Sequence, residues 1–550
     1  MIGSQEIKRS AHYVPIEEAL VTRRRGKFLG ITADEYIRYF FRGNATLAMV
    51  ILALITFFLF KEAIGLEFIG IKSDSGFFAQ NHENLTLYRQ AGLEYVDFLR
   101  QQVDDVNTLG RYISQLRLKQ FQQMTAAGVS PEAANEKLAA FDDFQGKFRK
   151  LVEGHEAMLG EWTEAASAIK DRHKISQDQR VQHQMLLDTG KPGEAAAMAI
   201  EVVDFTKEVK IFTGQFGLYQ ELNRTLAAGL TSLSSEIPSA VGGGFEEGIQ
   251  KIRGWMLNAV ESIGSTENSM RTWDANRPVT WSQNFNSYLF GREWLTASFW
   301  QDWYGVVPLF VGSLCISFVA LAFAVPFGVG AAIYVNQIAT AREQAVIKPT
   351  IEFVSAIPSV VLGFFGIAVF GEFVRWLSAT PAFAWVPFFP MAERLNIFTA
   401  GMLLGFMAIP TIFSLAEDAL NNVPKAFVEA SLALGSTKLQ TIVRIMVPAS
   451  LSGIIAAVLL GFGRVIGETM VVLLCAGNRI KIPDFSTGLG AFFQPVHTMT
   501  GIIAQEMGEV VKGEIHYRAL FMVGITLFFV SLLINYLAQI IVRRYKISNG

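Results

Sequence analysis

The chain has 550 residues, of which 51% are hydrophobic and only 17% charged, with 44 Phe and a formal net charge of −2. Soluble chains carry about a quarter charged residues, so a wholly water-soluble protein is disfavoured, and the near-neutral balance gives no electrostatic case for a nucleic-acid partner. Cys315 and Cys475 both sit in strongly apolar stretches; two such thiols give no disulfide framework and no zinc set, and they read as small buried hydrophobes.

Residues 1–43 form a basic N-terminal segment with eight Lys or Arg, among them Arg23, Arg24, Arg25 and Lys27. Residues 44–60 form a first apolar span just long enough to cross a hydrocarbon core. The segment before it is too long for a secretory n-region, and Lys61-Glu62-Ala63-Ile64 shows no cleavage site, so an uncleaved signal anchor is expected. Residues 61–305 hold no span and show helical periodicity: Leu99, Val103, Val106, Leu109, Ile113 and Leu116 recur at spacings of three and four. Ser130-Pro131-Glu132 predicts an N-cap, a first-turn proline and an early acid for a helix through Leu151. A further helix is expected over Gly193–Leu230, then a break at Gly242-Gly243-Gly244 and a last helix around Ile249–Val260. His155, His173 and His183 read as members of solvated helix faces, not as metal ligands. Trp294, Phe299, Trp300, Trp303 and Tyr304 cluster before the next span, where aromatic residues favour the headgroup level.

Five more apolar spans fall near Val306–Val335, Ile351–Leu377, Ile397–Leu415, Leu451–Cys475 and Ala519–Val542, with Pro326, Pro358 and Pro410 inside them. Proline is tolerated in a bilayer where neighbouring helices satisfy the freed carbonyls, so a packed bundle is expected. The fold class is therefore all-α: a polytopic membrane protein with six transmembrane helices plus a helical extracytoplasmic domain. Six spans put both termini on one side, and Arg543, Arg544 and Lys546 match the basic N-terminal segment, so both termini are expected in the cytoplasm and residues 61–305 in the periplasm. Arg479, Lys481, Lys512 and Arg518 then fall on the outer side, against the trend.

The cytoplasmic loop 417–449 contains Glu429-Ala430-Ser431, then Gly435, then Ile445-Met446-Val447-Pro448. It predicts a short helix, a glycine turn and a second helix broken before Pro448, a knob suited to a groove on a soluble partner. In the fifth span Arg464 and Glu468 are four apart, expected on one helix face. Each charge costs about 2.5–3.5 kcal/mol at mid-membrane depth, a cost that pairing reduces. The pair either fixes helix packing or lines a substrate path. Guanidinium matches a tetrahedral oxyanion, and a carboxylate accepts a hydrogen bond from a protonated oxygen, which hydrogen phosphate has and sulfate lacks. Gly461, Gly463 and Gly467 are expected to admit a neighbouring backbone. No nucleotide-binding loop is present: Gly190-Lys191-Pro192 lacks the upstream glycine and the Ser or Thr.

The spacing around Glu429, Gly435 and Pro448 resembles the coupling motif of ABC importer permeases, with Ser431 for the second Ala and Val447 for Leu. Arg464-Val465-Ile466-Gly467-Glu468-Thr469-Met470, Ile357-Pro358-Ser359-Val360-Val361-Leu362-Gly363-Phe364-Phe365-Gly366 and Gly477-Asn478 resemble phosphate importer permeases, more the PstC type than the PstA type. The resemblance covers roughly 306–546, the permease domain of five helices, and not the large external segment. It implies the type I ABC importer permease fold, and substrate translocation past Arg464 and Glu468, with which Thr469 is grouped. It further implies coupling through Glu429, Ala430, Ser431, Gly435, Ile445 and Pro448. It implies partners as well: a second permease subunit (PstA-like), an ATPase subunit dimer (PstB-like) holding ATP and Mg, a periplasmic phosphate-binding protein and the lipid membrane. This chain would bind no cofactor and hydrolyse nothing.

A permease for sulfate or molybdate is the alternative within that class. A membrane sensor would carry a long cytoplasmic coil or catalytic domain, where this chain has four more spans; an intramembrane enzyme would need a nucleophile–base pair or metal trio at membrane depth. The external segment reads as a spacer or cap, as a docking platform for an envelope partner, or as a sensor.

Overall fold

The computed structural model describes residues 27–28, 31–65, 76–238, 246–296, 298, 300–383, 385–386 and 388–545. Arg23, Arg24, Arg25, the Gly242-Gly243-Gly244 break, Phe299 and Lys546 lie outside these residues. Six described helices are long and apolar enough to cross a membrane: Phe40–Ile64, Val307–Gln337, Ser359–Ser378, Ile397–Asn421, Lys438–Ile466 and Ile515–Arg543.

Between the first two spans stands a helical domain. Leu93–Ala126 runs antiparallel to the 58-residue helix Pro131–Asp188, whose N-terminus is capped by Ser130 Oγ accepting from Ala133 N at 3.3 Å. The antiparallel register is visible in the pairs Arg117–Asp142, Asn107–Glu156 and Tyr95–Trp162. All six periodic residues from Leu99 to Leu116 are buried, each adding about 1.5–3 kcal/mol of transfer free energy. Phe216–Ser235 and Glu246–Arg271 complete the bundle. The expected helix Gly193–Leu230 is instead three short pieces, Pro192–Ala197, Phe205–Glu208 and Lys210–Thr213, before Phe216–Ser235. The helix expected to end near Leu151 continues to Asp188.

Two apolar cores fill this bundle, one from Val106 and Phe148 outward to Met124, the other around Tyr95, Trp162 and Phe212. A polar layer separates them, with each of the four long helices contributing to it. Asn223 Oδ1 accepts from Gln102 Nε2 at 2.7 Å and from His155 Nε2 at 2.9 Å; Asn223 Nδ2 donates to Glu267 Oε1 at 2.9 Å, and Tyr219 donates to Gln102 Oε1 at 2.5 Å. His155 is thus only 1% exposed, not part of a solvated face, and its Nδ1 is buried without a partner among the described residues.

Two of the clustered aromatics before the second span, Trp294 and Tyr304, seat the domain on the bundle. Trp294 and Tyr304 are buried with Phe77 and Tyr288 against Leu309, Met499, Ala519 and Val523, and a short antiparallel pair, Trp294–Leu295 with Trp303–Tyr304, closes the seat. Trp300 is buried in the domain core beneath the Arg100 guanidinium, 3.8 Å away.

Within the bundle the second and fourth spans pack most closely. A Cβ on Gly405 would lie 2.7 Å from the Ala320 carbonyl oxygen, and one on Gly401 2.6 Å from Val319 Cβ, so small residues set this approach. Asn336 Nδ2 donates to Asn421 Oδ1 at 2.5 Å where these two spans end. At the opposite end Ile397 N donates to the Gln494 carbonyl at 3.1 Å. The 425–446 hairpin and the helical domain therefore lie at opposite ends of the bundle. Two expected spans are redrawn. Ile351–Leu377 divides into a capped helix Ala341–Ser355, tied to the fourth span by the Lys348–Glu417 ion pair, and a span that starts at Ser359 with Pro358 as its N-cap. Leu451–Cys475 is instead a helix that ends at Ile466.

Burial holds the His155 imidazole below its ordinary range. An unfolded chain takes up this proton near pH 6.5, so the native state loses stability as pH falls below that value. We expect wild type to lose stability relative to His155→Gln between about pH 6.5 and 5, read by hydrogen exchange of the 99–109 amides in the full chain; parallel profiles would contradict this.

Candidate functional site

The fifth span begins in the hairpin and ends in a backbone break. Val447–Ile466 stops at Gly467, residues 467–469 are not helical, and Met470–Cys475 starts afresh. Arg464 and Glu468 therefore do not share a helix face, and they form no ion pair with each other. Arg464 is exposed on the span's surface, and its one hydrogen bond among the described residues runs from Nη1 to Thr411 Oγ1 of the fourth span at 2.9 Å. Guanidinium has five donors, so most of its capacity faces outward. Glu468 is half-buried and turns back over the break, its Oε1 accepting from Met470 N at 3.2 Å. Thr469, half-buried, is the N-cap residue of Met470–Cys475 without a side-chain capping bond.

A second element completes the site, and the sequence reading placed it in an external loop. After the Phe485–Phe493 turns the chain re-enters the bundle, and Thr498 caps a helix Met499–Glu506. Thr500 Oγ1 donates to the Glu468 carbonyl at 2.8 Å, inside the break. Met499 N donates to Ser313 Oγ of the second span at 3.0 Å. His497, 2% exposed, accepts from Thr498 N at Nδ1, which places its proton on Nε2, 3.0 Å from Gln505 Oε1. Thr411, Ser313, Thr498 and Thr500 were missed; the one local signal was Thr498 preceding a short apolar run.

Of the three stretches quoted for their resemblance, Ile357–Gly366 packs on Met470–Cys475, the helix that joins the other two. A Cβ on Gly363 would lie 2.5 Å from Leu474 Cδ1, one on Gly366 2.4 Å from Cys475 Sγ, and Cys475 Sγ itself donates to the Gly363 carbonyl at 3.4 Å. Gly477 (φ 88°) and Asn478 (φ 50°) then turn the chain through left-handed backbone. Of the three glycines in the fifth span only Gly461 is in close contact, with Ile412; Gly463 has open space around it and Gly467 meets only its own preceding turn.

At the far end, Lys425–Ala433 and Lys438–Thr441 form the expected hairpin. Gly435 has φ 83°, and Gly435 N and Ser436 N donate to the carbonyls of Leu432 and Ser431, a Schellman closure. Ser431 and Thr441 hydroxyls, both buried, lie 2.9 Å apart and join the two helices, which gives the Ala-to-Ser departure a structural use. Glu429 and Ala430 are exposed beside Leu432, Leu434 and Leu439, the second of these at 88%. The expected stop before Pro448 does not occur. The helix passes through a π turn, Ile442–Met446, which contains Ile445, and continues as Val447–Ile466. Pro448 lacks an N–H and its ring crowds the Arg444 carbonyl; the wider π turn falls at that point and absorbs the clash.

Comparison with known proteins matches residues 324–547 to the family described as binding-protein-dependent transport system inner membrane component. The probable ABC transporter permease protein YqgH of Bacillus subtilis is 31% identical over 260 residues, 46% of this chain and 79% of that protein. The phosphate transport system permease proteins PstC of Pasteurella multocida and Haemophilus influenzae are 28% and 29% identical, over 48% of this chain and 82% and 84% of theirs. A solved chain of the MetNI methionine ABC transporter overlaps at TM-score 0.32 and 20% identity, over 44% of this chain and 94% of that one, too low a score to bear on the fold.

A Cβ at Gly435 meets nothing within 4 Å, so only its backbone angle resists substitution. Gly435→Val is expected to destabilise the hairpin by about 1–2 kcal/mol, and Gly435→Asn by less. Hydrogen exchange across Ala430–Ser436 measures this; equal exchange in both variants and wild type would remove the constraint.

Proposed function

The chain belongs to the family of binding-protein-dependent transport system inner membrane components, and we propose that it is the permease subunit through which an ATP-driven importer moves inorganic phosphate across the cytoplasmic membrane. It is a multi-pass inner-membrane transport subunit, not an enzyme. The observation that carries the phosphate reading is the exposed Arg464 guanidinium, with one hydrogen bond among the described residues, beside a backbone break. Relatives named as phosphate permeases over four-fifths of their length support the same substrate. Arg464 supplies charge and planar donors to a tetrahedral anion. Glu468 and the Thr469 hydroxyl supply acceptors for the proton that hydrogen phosphate carries, and the carboxylate limits how tightly the anion is held.

The orientation we adopt puts residues 1–43 and the C-terminus in the cytoplasm and 61–305 in the periplasm. Arg342, Lys348, Lys425, Lys438 and Arg444 then lie inside. Among the outer cations, Arg518 is buried and donates to the carbonyls of Glu62 and Gly513, so it serves packing and does not count against the rule. A periplasmic phosphate-binding protein delivers the anion to the outer mouth. The exposed face of Arg464 turns toward a second, PstA-like permease, so that the path runs between the two. A PstB-like ATPase dimer, carrying ATP and Mg, grips the 417–449 segment at Glu429, Ala430 and the exposed leucines around Gly435. Closing and opening of that dimer moves the hairpin and, through the unbroken helix past Ile445 and Pro448, the fifth span, giving alternating access.

Arg464→Gln is expected to lower radiolabelled phosphate uptake at least about a hundredfold, as loss of a charged partner costing about 3 kcal/mol implies, at normal membrane levels. Excess sulfate is expected to leave wild-type uptake unchanged. Uptake retained by the variant would remove the gate, and competition by sulfate would move the assignment to a broader oxyanion permease.

A further inference from the structure

The helix Met499–Glu506 has two faces with different partners. Met499 and Ile502 are fully buried in the cluster that holds Phe77, Tyr288, Trp294 and Tyr304 of the external domain. Glu506, on the same face, accepts from His516 Nε2 at 2.8 Å and faces Trp294 Nε1 at 3.4 Å. Thr500, off that face and 7% exposed, donates to the carbonyl of Glu468. Spacings of three and four keep 499, 502 and 506 together and leave 500 apart. The helix start is fixed independently by the Thr498 side chain accepting from Gly501 N at 3.0 Å and by His497 between Thr498 N and Gln505.

We propose that Met499–Glu506 is a strut through which the external helical domain sets the position of the Glu468 segment, with Thr500 as the positioning residue at the gate end. The proposal rests on the reading of Arg464 and Glu468 as translocation residues. A carbonyl freed by a break in a membrane helix needs a protein donor, because lipid offers none, and Thr500 is that donor for Glu468. The eight-residue strut is about 12 Å long and is packed along its length, so a tilt of the domain seat carries Thr500, and the peptide it holds, in the same direction. This gives the external domain a part in transport: a partner that docks on it acts on the gate without touching the membrane path.

The test is phosphate uptake kinetics in cells with matched membrane levels of Thr500→Val, Thr500→Ser, Trp294→Phe and the Thr500→Val/Trp294→Phe combination, with Glu468→Gln as reference. Thr500→Val is expected to lower the maximal rate about tenfold, the effect of a buried carbonyl losing its donor, with half-saturation changed less than about twofold. Thr500→Ser restores the rate to within about twofold. Trp294→Phe shows the same pattern more weakly, and the combination is no worse than Thr500→Val alone, since both cut one connection. Where valine prevents membrane accumulation, Thr500→Ala is measured in its place with the same expectation. Wild-type uptake in the Thr500 variant beside an impaired Glu468→Gln overturns the positioning role and leaves the gate standing. Multiplying effects of the two substitutions overturn the strut. Unimpaired Glu468→Gln overturns the gate reading itself.

Discussion

A helix broken inside a bilayer must find partners for its freed peptide groups within the protein, and the rest of the site follows from how this chain meets that demand at Gly467–Thr469. The Glu468 carboxylate takes the Met470 amide and Thr500 takes the Glu468 carbonyl. Satisfying the break requires a second chain segment to re-enter the bundle, so Met499–Glu506 sits where it does. One Glu468 oxygen turns to its own backbone and none to Arg464, which rests on the neutral Thr411 hydroxyl. The positive charge is thereby held in place but kept available, which a direct ion pair would have prevented.

The external domain meets a related demand with different means. A long two-core bundle could slide along its axis if the interface were apolar throughout, because leucine-type contacts are interchangeable by one turn. The Gln102–Asn223–His155–Glu267 layer allows only one register, since a one-turn slip would bury unpaired amides at about 1–3 kcal/mol each. Register thus comes from the polar layer and bulk stability from the two cores on either side.

Hydropathy made the number of spans legible, and spacing made the hairpin legible, because both are properties of contiguous residues. The Ser130 cap and the buried stripe from Leu99 to Leu116 were readable for the same reason. What stayed hidden depends on contacts distant in sequence. An apolar run through Gly467 looks like one span, since hydropathy does not register a backbone break whose partners come from Thr500. His155 looked solvated because Asn223 and Gln102 arrive from two other helices. Gly193–Leu230 was read as one helix, whereas its backbone is broken into short pieces between Pro192 and Phe216, tied to the long helix by Ser176 on the Glu201 carbonyl and Arg172 on Glu208. The proline at 448 was read by its usual effect on a helix, and the π turn that accommodates it has no signature in residue type.

That π turn has a geometric consequence. One extra residue in a turn sets back the angular phase of everything after it by about 100°. In an unbroken α-helix the side that meets Ser431 through Thr441 would be about 140° from that of Arg464, some 30 Å on, and the π turn cuts the offset to about 40°. The hairpin contact and the arginine thus lie near one side of the rod, so a push received at one end is delivered at nearly the same azimuth at the other.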